Sequence, residues 1–188
     1  MKTSKKRLKR IGVLGGTFDP PHVGHVEISK FAIKKLKLSL LVWAVTKKNP
    51  LKKSPSATLK KRVSLSKKKV SKIKKIRVKS FDKLIKSSKT IDLIRYIKKN
   101  SDSKIFFLMG SDNLVKFHKW DQWKKITDLC KIVVFPRTGY VKKTLTCKAI
   151  KTLGRDKILF LRSKKIDISS SKIRQNYLKY TNLWKFQK

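Results

Sequence analysis

Two histidines three positions apart, His22 and His25, close the segment Gly15-Gly16-Thr17-Phe18-Asp19-Pro20-Pro21-His22-Val23-Gly24-His25. An imidazole near neutral pH can donate a hydrogen bond, carry charge or move a proton. Two of the chain's three histidines stand in this one loop. Glycine lets a backbone approach a ligand closely, and Pro20 and Pro21 stiffen the turn by fixing φ. The segment follows a short apolar run, Ile11-Gly12-Val13-Leu14, and precedes an apolar-periodic stretch over residues 26–38. Strand, glycine loop and helix start, in that order, leave backbone N–H groups pointing at whatever sits beyond the loop, and phosphate binds there. The pattern is not a P-loop, because no Gly-Lys-Ser/Thr follows. It is not the dinucleotide fingerprint, because Phe18-Asp19-Pro20-Pro21 interrupts the glycine spacing. With about one helical turn between them, both rings can face one side. A strand–helix turn with two solvated histidines is the plainer alternative; their concentration in one loop favours chemistry on a bound phosphate.

A second constellation is Ile168-Ser169-Ser170-Ser171-Lys172-Ile173-Arg174. Serines at a helix start cap it, but capping accounts for only one of them. Hydroxyls, N–H groups and a guanidinium one turn inside the helix make an anion site suited to a polyphosphate. A third is Met109-Gly110-Ser111-Asp112-Asn113-Leu114, followed by Phe117-His118-Lys119-Trp120-Asp121-Gln122-Trp123. A carboxylate after a strand can accept ribose hydroxyls, and a tryptophan beside a loop can stack on an aromatic ring. Trp123 is read as core and Trp120, among polar neighbours, as the stacking candidate.

The elements that must position these groups follow from periodicity. Arg10 to Leu14, Leu40-Leu41-Val42-Trp43-Ala44-Val45, Lys75-Ile76-Arg77-Val78, Ile105-Phe106-Phe107-Leu108-Met109, Ile132-Val133-Val134-Phe135 and Ile158-Leu159-Phe160-Leu161 read as strands. Most are continuously apolar, as strands buried on both faces are. Helices are expected over residues 24–38, 58–69 with Thr58 as N-cap, 90–99, 120–129 and 168–178; residues 141–152 are ambiguous, with helix favoured. Alternating strands and helices predict an α/β fold, a Rossmann-like doubly wound sheet, mostly parallel, in a single domain. Ligands bind such sheets beyond the carboxyl ends of the strands, so the glycine–histidine loop, Gly110 to Asp112 and Arg137 should converge on one edge. Residues 1–188 are read as one domain, with residues 1–9 a basic N-terminal tail and 180–188 a C-terminal tail.

Composition bounds the rest. The 188 residues, 39% hydrophobic, are enough for a real core. No apolar run is long enough to span a membrane, and the run after the basic N-terminus is too short for a signal peptide. Cys130 and Cys147 lack metal-ligand spacing and read as free thiols in a reducing cytoplasm. Fifty-two basic against ten acidic residues give a net charge of +42. A field of that sign attracts polyanions, which makes a nucleic-acid-binding protein the competing class. The charge is dispersed lysine, however, whereas base readers lean on arginine. No dedicated nucleic-acid partner is therefore expected, and nothing in the sequence explains the scarcity of acids.

The first motif resembles the GxFDPxHxGH loop of the nucleotidylyltransferase superfamily, and Ile168 to Arg174 resembles its ISSTxIR signature, with Ser171 in the place of threonine. Within the superfamily, Gly-Gly-Thr-Phe-Asp-Pro-Pro-His and Gly-Ser-Asp-Asn-Leu…Phe-His-Lys-Trp resemble the bacterial nicotinate-nucleotide adenylyltransferase branch. So do Thr90-Ile91-Asp92 and Asn49-Pro50-Leu51-Lys52, although many relatives carry a Pro-Pro-His-like element in that last loop. The resemblance runs from about residue 10 to 178. It implies transfer of AMP from ATP to nicotinate mononucleotide, with Mg²⁺ carried on the triphosphate and no metal cage in the chain. Another superfamily activity, such as phosphopantetheine adenylyltransferase, is the alternative. By resemblance, His22 and His25 are the catalytic pair. ATP would be bound by them with Gly15, Gly16, Thr17, Phe18, Asp112, Arg137, Ser170, Ser171 and Arg174. The mononucleotide would be bound by Asn49, Lys52, Thr90, Asp92 and Trp120.

Overall fold

The computed structural model describes residues 8–49, 51, 54–154, 156–162, 170, 171 and 173–175. The chain alternates β1 (Lys9–Gly16), α1 (Val23–Lys35), β2 (Leu40–Val45), α2 (Leu59–Val70), β3 (Ile76–Lys79), α3 (Thr90–Lys99) and β4 (Ser103–Gly110). It continues through α4 (Ser111–Val115), a 3₁₀ turn at Phe117–Lys119, α5 (Trp123–Leu129), β5 (Lys131–Phe135), α6 (Val141–Leu145), α7 (Lys148–Leu153) and β6 (Ile158–Phe160). Ser170, Ser171 and residues 173–175 are helical. The sheet order is β3-β2-β1-β4-β5-β6, and every strand pair is parallel. The chain winds outward in both directions from β1, so the strand order reverses between β1 and β4, where open α/β sheets leave a crevice.

Side-chain alternation along the strands sorts the core into two layers. Val13, Val42, Ile105, Phe107, Ile132 and Val134 face α3, α4, α5 and α7. Leu14, Leu41, Trp43, Phe106, Leu108 and Val133 face α1 and α2. The helix α3 buries Ile91, Leu93, Ile94 and Ile97, a full apolar stripe; each fully buried isoleucine contributes about 1.5–3 kcal/mol. Gly12 is required where β1 passes between Leu38 and Leu41, since a Cβ there would lie 2.6 and 2.4 Å from their Cδ1 atoms.

Most sequence expectations match these elements, including Thr58 as N-cap of α2, whose hydroxyl accepts from the Lys61 N–H. Four differ. The first strand begins at Lys9, so the expected tail of residues 1–9 is shorter by that residue. The first helix stops at Lys35, because Lys37 takes a left-handed φ of 49° and turns Leu38 inward. The helix expected from Trp120 begins at Trp123, because Gln122 has a φ of 47° that no α-helix tolerates, and Trp120 is extended. Residues 141–152 form two short helices rather than one. The remainder of the helix expected over 168–178 lies outside the described residues, as does Lys52.

Candidate active site

Beyond the carboxyl ends of β1, β2, β4 and β5 the fold leaves one large open cavity of about 1490 Å³. Its floor is the β1–α1 loop. Gly15, Gly16, Thr17, Phe18, His22 and His25 all line it. The helix α1 starts at this floor with no acidic residue in its first turn and Lys34 and Lys35 in its last. Its positive end therefore faces the cavity with no carboxylate in its own first turn.

The two histidines are held in different ways. The His22 backbone N–H donates to Nδ1 of His25 at 3.2 Å. An accepting Nδ1 leaves the proton of a neutral His25 on Nε2, which makes that atom a donor. An aromatic column supports that ring. Phe18 lies 4.8 Å from His25 and stacks on Trp43 at 4.8 Å with 18° between planes. Trp43 is fully buried and donates to Ser29 Oγ at 2.8 Å, while Ser29 donates to the His25 carbonyl at 2.6 Å. His22 is 5% exposed. Burial, then the positive fields of Arg137 and Lys69, lowers its pKa from 6.5 to about 4. At neutral pH it is an uncharged imidazole.

Opposite α1, the short α4 carries Asp112, whose Oδ1 lies 3.4 Å from Arg137 Nε. Arg137 follows β5, and its N–H donates to Ser111 Oγ at 2.9 Å. The N-cap of α4 is Gly110. A Cβ there would lie 2.5 Å from Asp112 Oδ1 and 2.8 Å from Arg137 Nε, so a larger residue would push both side chains aside. The serine–arginine element closes this side. Ser170 Oγ donates to the Pro20 carbonyl at 2.9 Å, and Arg174 Nη1 donates to the Asp19 carbonyl. Ser171 accepts from Arg174 Nη2 at 3.4 Å. All three residues line the cavity.

The far half is built from the loop after β2 and the start of α3. Asn49, Thr90 and Trp120 line it. Asn49 Oδ1 accepts the Leu51 N–H at 2.9 Å. Thr90 is the first residue of α3, so backbone N–H groups of that helix end open there. Trp120 meets Phe107 and Phe117 edge-on, with centroids 5.9 and 5.3 Å away. It is thus both anchored to the core and exposed to the cavity. Trp123 packs on the core as expected.

Asp92 departs from expectation, because it does not line the cavity. It lies on the outer side of α3, accepts from Ser87 Oγ at 2.7 Å and pairs with Arg95 at 3.5 Å. It fastens the turn that leads into Thr90 instead of touching the cavity. Residues the sequence reading passed over also shape the site. Arg62, 1% exposed, donates to the carbonyls of Thr17, Thr46, Lys47 and Ala57. Asp82 accepts from Thr46 Oγ1 at 3.0 Å and Lys47 N at 2.7 Å. The one signal for Arg62 was an arginine within the lysine run Lys60-Lys61-Arg62, where a fork of donors differs from a point charge.

A parallel doubly wound sheet with a phosphate-facing His-x-x-His helix start and a Ser-Arg clamp at its switch point defines a nucleotidyl-transferring fold. Accordingly, the chain belongs to the cytidylyltransferase-like family, whose family model matches residues 13–176. Within that family it stands with the nicotinate-nucleotide adenylyltransferases. It is 45% identical over 166 residues to a protein of Pelagibacter ubique (strain HTCC1062) named "Probable nicotinate-nucleotide adenylyltransferase", covering 88% of this chain and 92% of the relative. A protein of the same name from Agrobacterium fabrum is 37% identical over 131 residues, 69% of this chain and 70% of that one. The solved Plasmodium falciparum nicotinic acid mononucleotide adenylyltransferase complexed with NaAD shares the fold, with a TM-score of 0.70, 18% identity, and coverage of 89% of this chain and 83% of that one.

Proposed function

We propose that the chain catalyses transfer of AMP from ATP to nicotinate mononucleotide, giving deamido-NAD and pyrophosphate. The observation that carries this reading is one continuous cavity lined by His22, His25, Ser170, Ser171 and Arg174 on one side and by Asn49, Thr90 and Trp120 on the other. A phosphate oxygen of the mononucleotide attacks the α-phosphorus of ATP in line. A new P–O bond forms, the bond from the α-phosphorus to the bridging oxygen breaks, and pyrophosphate leaves with that electron pair. No enzyme nucleophile is required, so the chain contributes position and charge stabilisation.

The N–H groups at the start of α1 and the Nε2–H of His25 are donors for the α-phosphate region, where negative charge builds. Ser170, Ser171 and Arg174 suit the β- and γ-phosphates, Asp112 the ribose hydroxyls, and Arg137 the adenine side. The open start of α3 at Thr90 suits a carboxylate, which favours nicotinate over its amide. Trp120 offers a face for the pyridine ring. Asn49 is a candidate for the mononucleotide phosphate.

The cavity-lining carboxylates Asp19, Asp82, Asp112 and Asp121 each already have a donor or cation of the chain. Among the described residues no group of three metal-ligating side chains stands together. Such a donor set suits an Mg²⁺ held mainly by triphosphate oxygens and water, which neutralises phosphate charge when bound. Among the described residues no helix is long and apolar enough to cross a membrane, and Cys130 and Cys147 are buried free thiols. Buried free thiols accord with a reducing setting.

An acceptor panel tests the reading. Purified protein with ATP and Mg²⁺ should release pyrophosphate with nicotinate mononucleotide, more slowly with the nicotinamide form and not with phosphopantetheine. Turnover with phosphopantetheine alone would overturn it.

A further inference from the structure

Asp19 is 3% exposed, lies between the two halves of the cavity and is bonded to both. On the acceptor side its carboxylate takes Ser56 N at 2.7 Å, Ser56 Oγ at 2.9 and 3.1 Å, and Ala57 N at 3.2 Å. These residues end the loop that follows β2, where Asn49 and Leu51 line the cavity. On the phosphate side Arg174 Nη1 lies 3.7 Å from Asp19 Oδ2 and also donates to the Asp19 carbonyl. Arg174 keeps further N–H donors, and its side chain is 38% exposed.

Arg62 reinforces the same junction. It ties Thr17 of the β1–α1 loop to Thr46 and Lys47, where the acceptor loop begins, and to Ala57, where it ends. Asp82 fastens the beginning a second time. The acceptor loop is therefore pinned at both ends, and its far end is pinned to a carboxylate that also holds the phosphate-clamp arginine.

We propose that Asp19 is a positioning residue that couples the triphosphate clamp to the acceptor loop, so that the two substrates bind cooperatively. This inference rests on the reading of the site given above. A polyphosphate engaging Arg174 orders the Arg174–Asp19 pair. The ordered carboxylate holds Ser56 and Ala57 more firmly, and the acceptor then meets these two residues with less ordering left to accomplish. The coupling runs equally in both directions.

The experiment is calorimetric titration of nicotinate mononucleotide into the full chain, with and without saturating α,β-methylene-ATP, and the reverse titration. The wild-type protein should bind the mononucleotide about tenfold more tightly with the analogue present, and the analogue should gain by the same factor. Asp19→Asn keeps the shape but loses the charge facing Arg174, and the factor should fall towards one. Ser56→Ala removes only the hydroxyl link, and the factor should fall part of the way; this variant decides the matter if Asp19→Asn does not fold. A simple loss of structure would weaken both ligands separately, whereas loss of coupling spares the affinity for each alone. A factor of one in the wild-type protein, or an unchanged factor in a folded Asp19→Asn or, failing that, Ser56→Ala, overturns the proposal. Failure of the wild-type protein to bind either ligand overturns it together with the proposed reaction.

Discussion

The His22 backbone N–H donates to Nδ1 of His25 at 3.2 Å, and the two imidazoles lie 3.8 Å apart. One residue's main chain thus sets the tautomer of the other's ring. In the proposed reaction the Nε2–H of His25 meets charge on the transferring phosphoryl. His25→Ala should lower kcat by about 10²–10³-fold, the loss seen when one transition-state donor is removed. Pyrophosphate release measures the rate, and far-ultraviolet circular dichroism checks the fold. Near-normal turnover would remove His25 from the mechanism.

His22 gives the protein a pH signature. Its folded pKa of about 4 lies below the unfolded 6.5. Between those values the unfolded chain takes up a proton that the native ring refuses, so this group's contribution is complete above pH 6.5 and declines as pH falls towards 4. The full loss is about 3 kcal/mol. Urea melts at pH 7 and pH 4.5 should show a larger drop in stability for the wild-type protein than for His22→Asn. Equal drops would mean that His22 is not desolvated.

Two glycine-to-alanine changes should separate fold from site. Gly110→Ala forces Asp112 and Arg137 aside, so KM for ATP should rise several-fold with a small change in Tm. Gly12→Ala drives a methyl into Leu38 and Leu41 at the core, which typically costs about 1–3 kcal/mol. It should lower Tm while leaving KM close to normal. The same shift in both quantities for both variants would contradict the geometry.

Arg62→Lys should fail to replace Arg62. A lysine offers one point charge where four carbonyls are gathered by a planar fork. Stability should fall by about 1–3 kcal/mol as carbonyls lose their donors, and in the folded fraction KM for nicotinate mononucleotide should rise more than KM for ATP. Thermal melts and initial-rate kinetics measure the two effects. A lysine variant matching the wild type in both would reduce Arg62 to a bystander.

Local chemistry explains what could be read ahead of the structure. The apolar runs at Leu40 to Val45 and Ile105 to Met109 have no alternative to a buried strand, and Thr58 and Thr90 mark helix starts by their own side chains or spacing. The cavity brought together His22, His25 and Asp112 because their segments follow strand ends on one edge of a parallel sheet, and Trp120, Ser170 and Arg174 line the same cavity. Other features depended on contacts distant in sequence. Arg62 looks like any cation in a basic helix until four carbonyls from two loops surround it. Asp92 looks like a ligand of the site until Ser87 and Arg95 claim it. The left-handed Gln122, which ends the helix short of Trp120, has no residue-level signal at all.

The hydrogen bond from Ser170 to the Pro20 carbonyl joins positions 150 residues apart. During synthesis the glycine–histidine loop leaves the ribosome long before its partner exists. A nascent chain that has completed β1 to β6 still lacks Ser170 and Arg174, so their bonds to the Pro20 and Asp19 carbonyls are among the last tertiary contacts that synthesis allows.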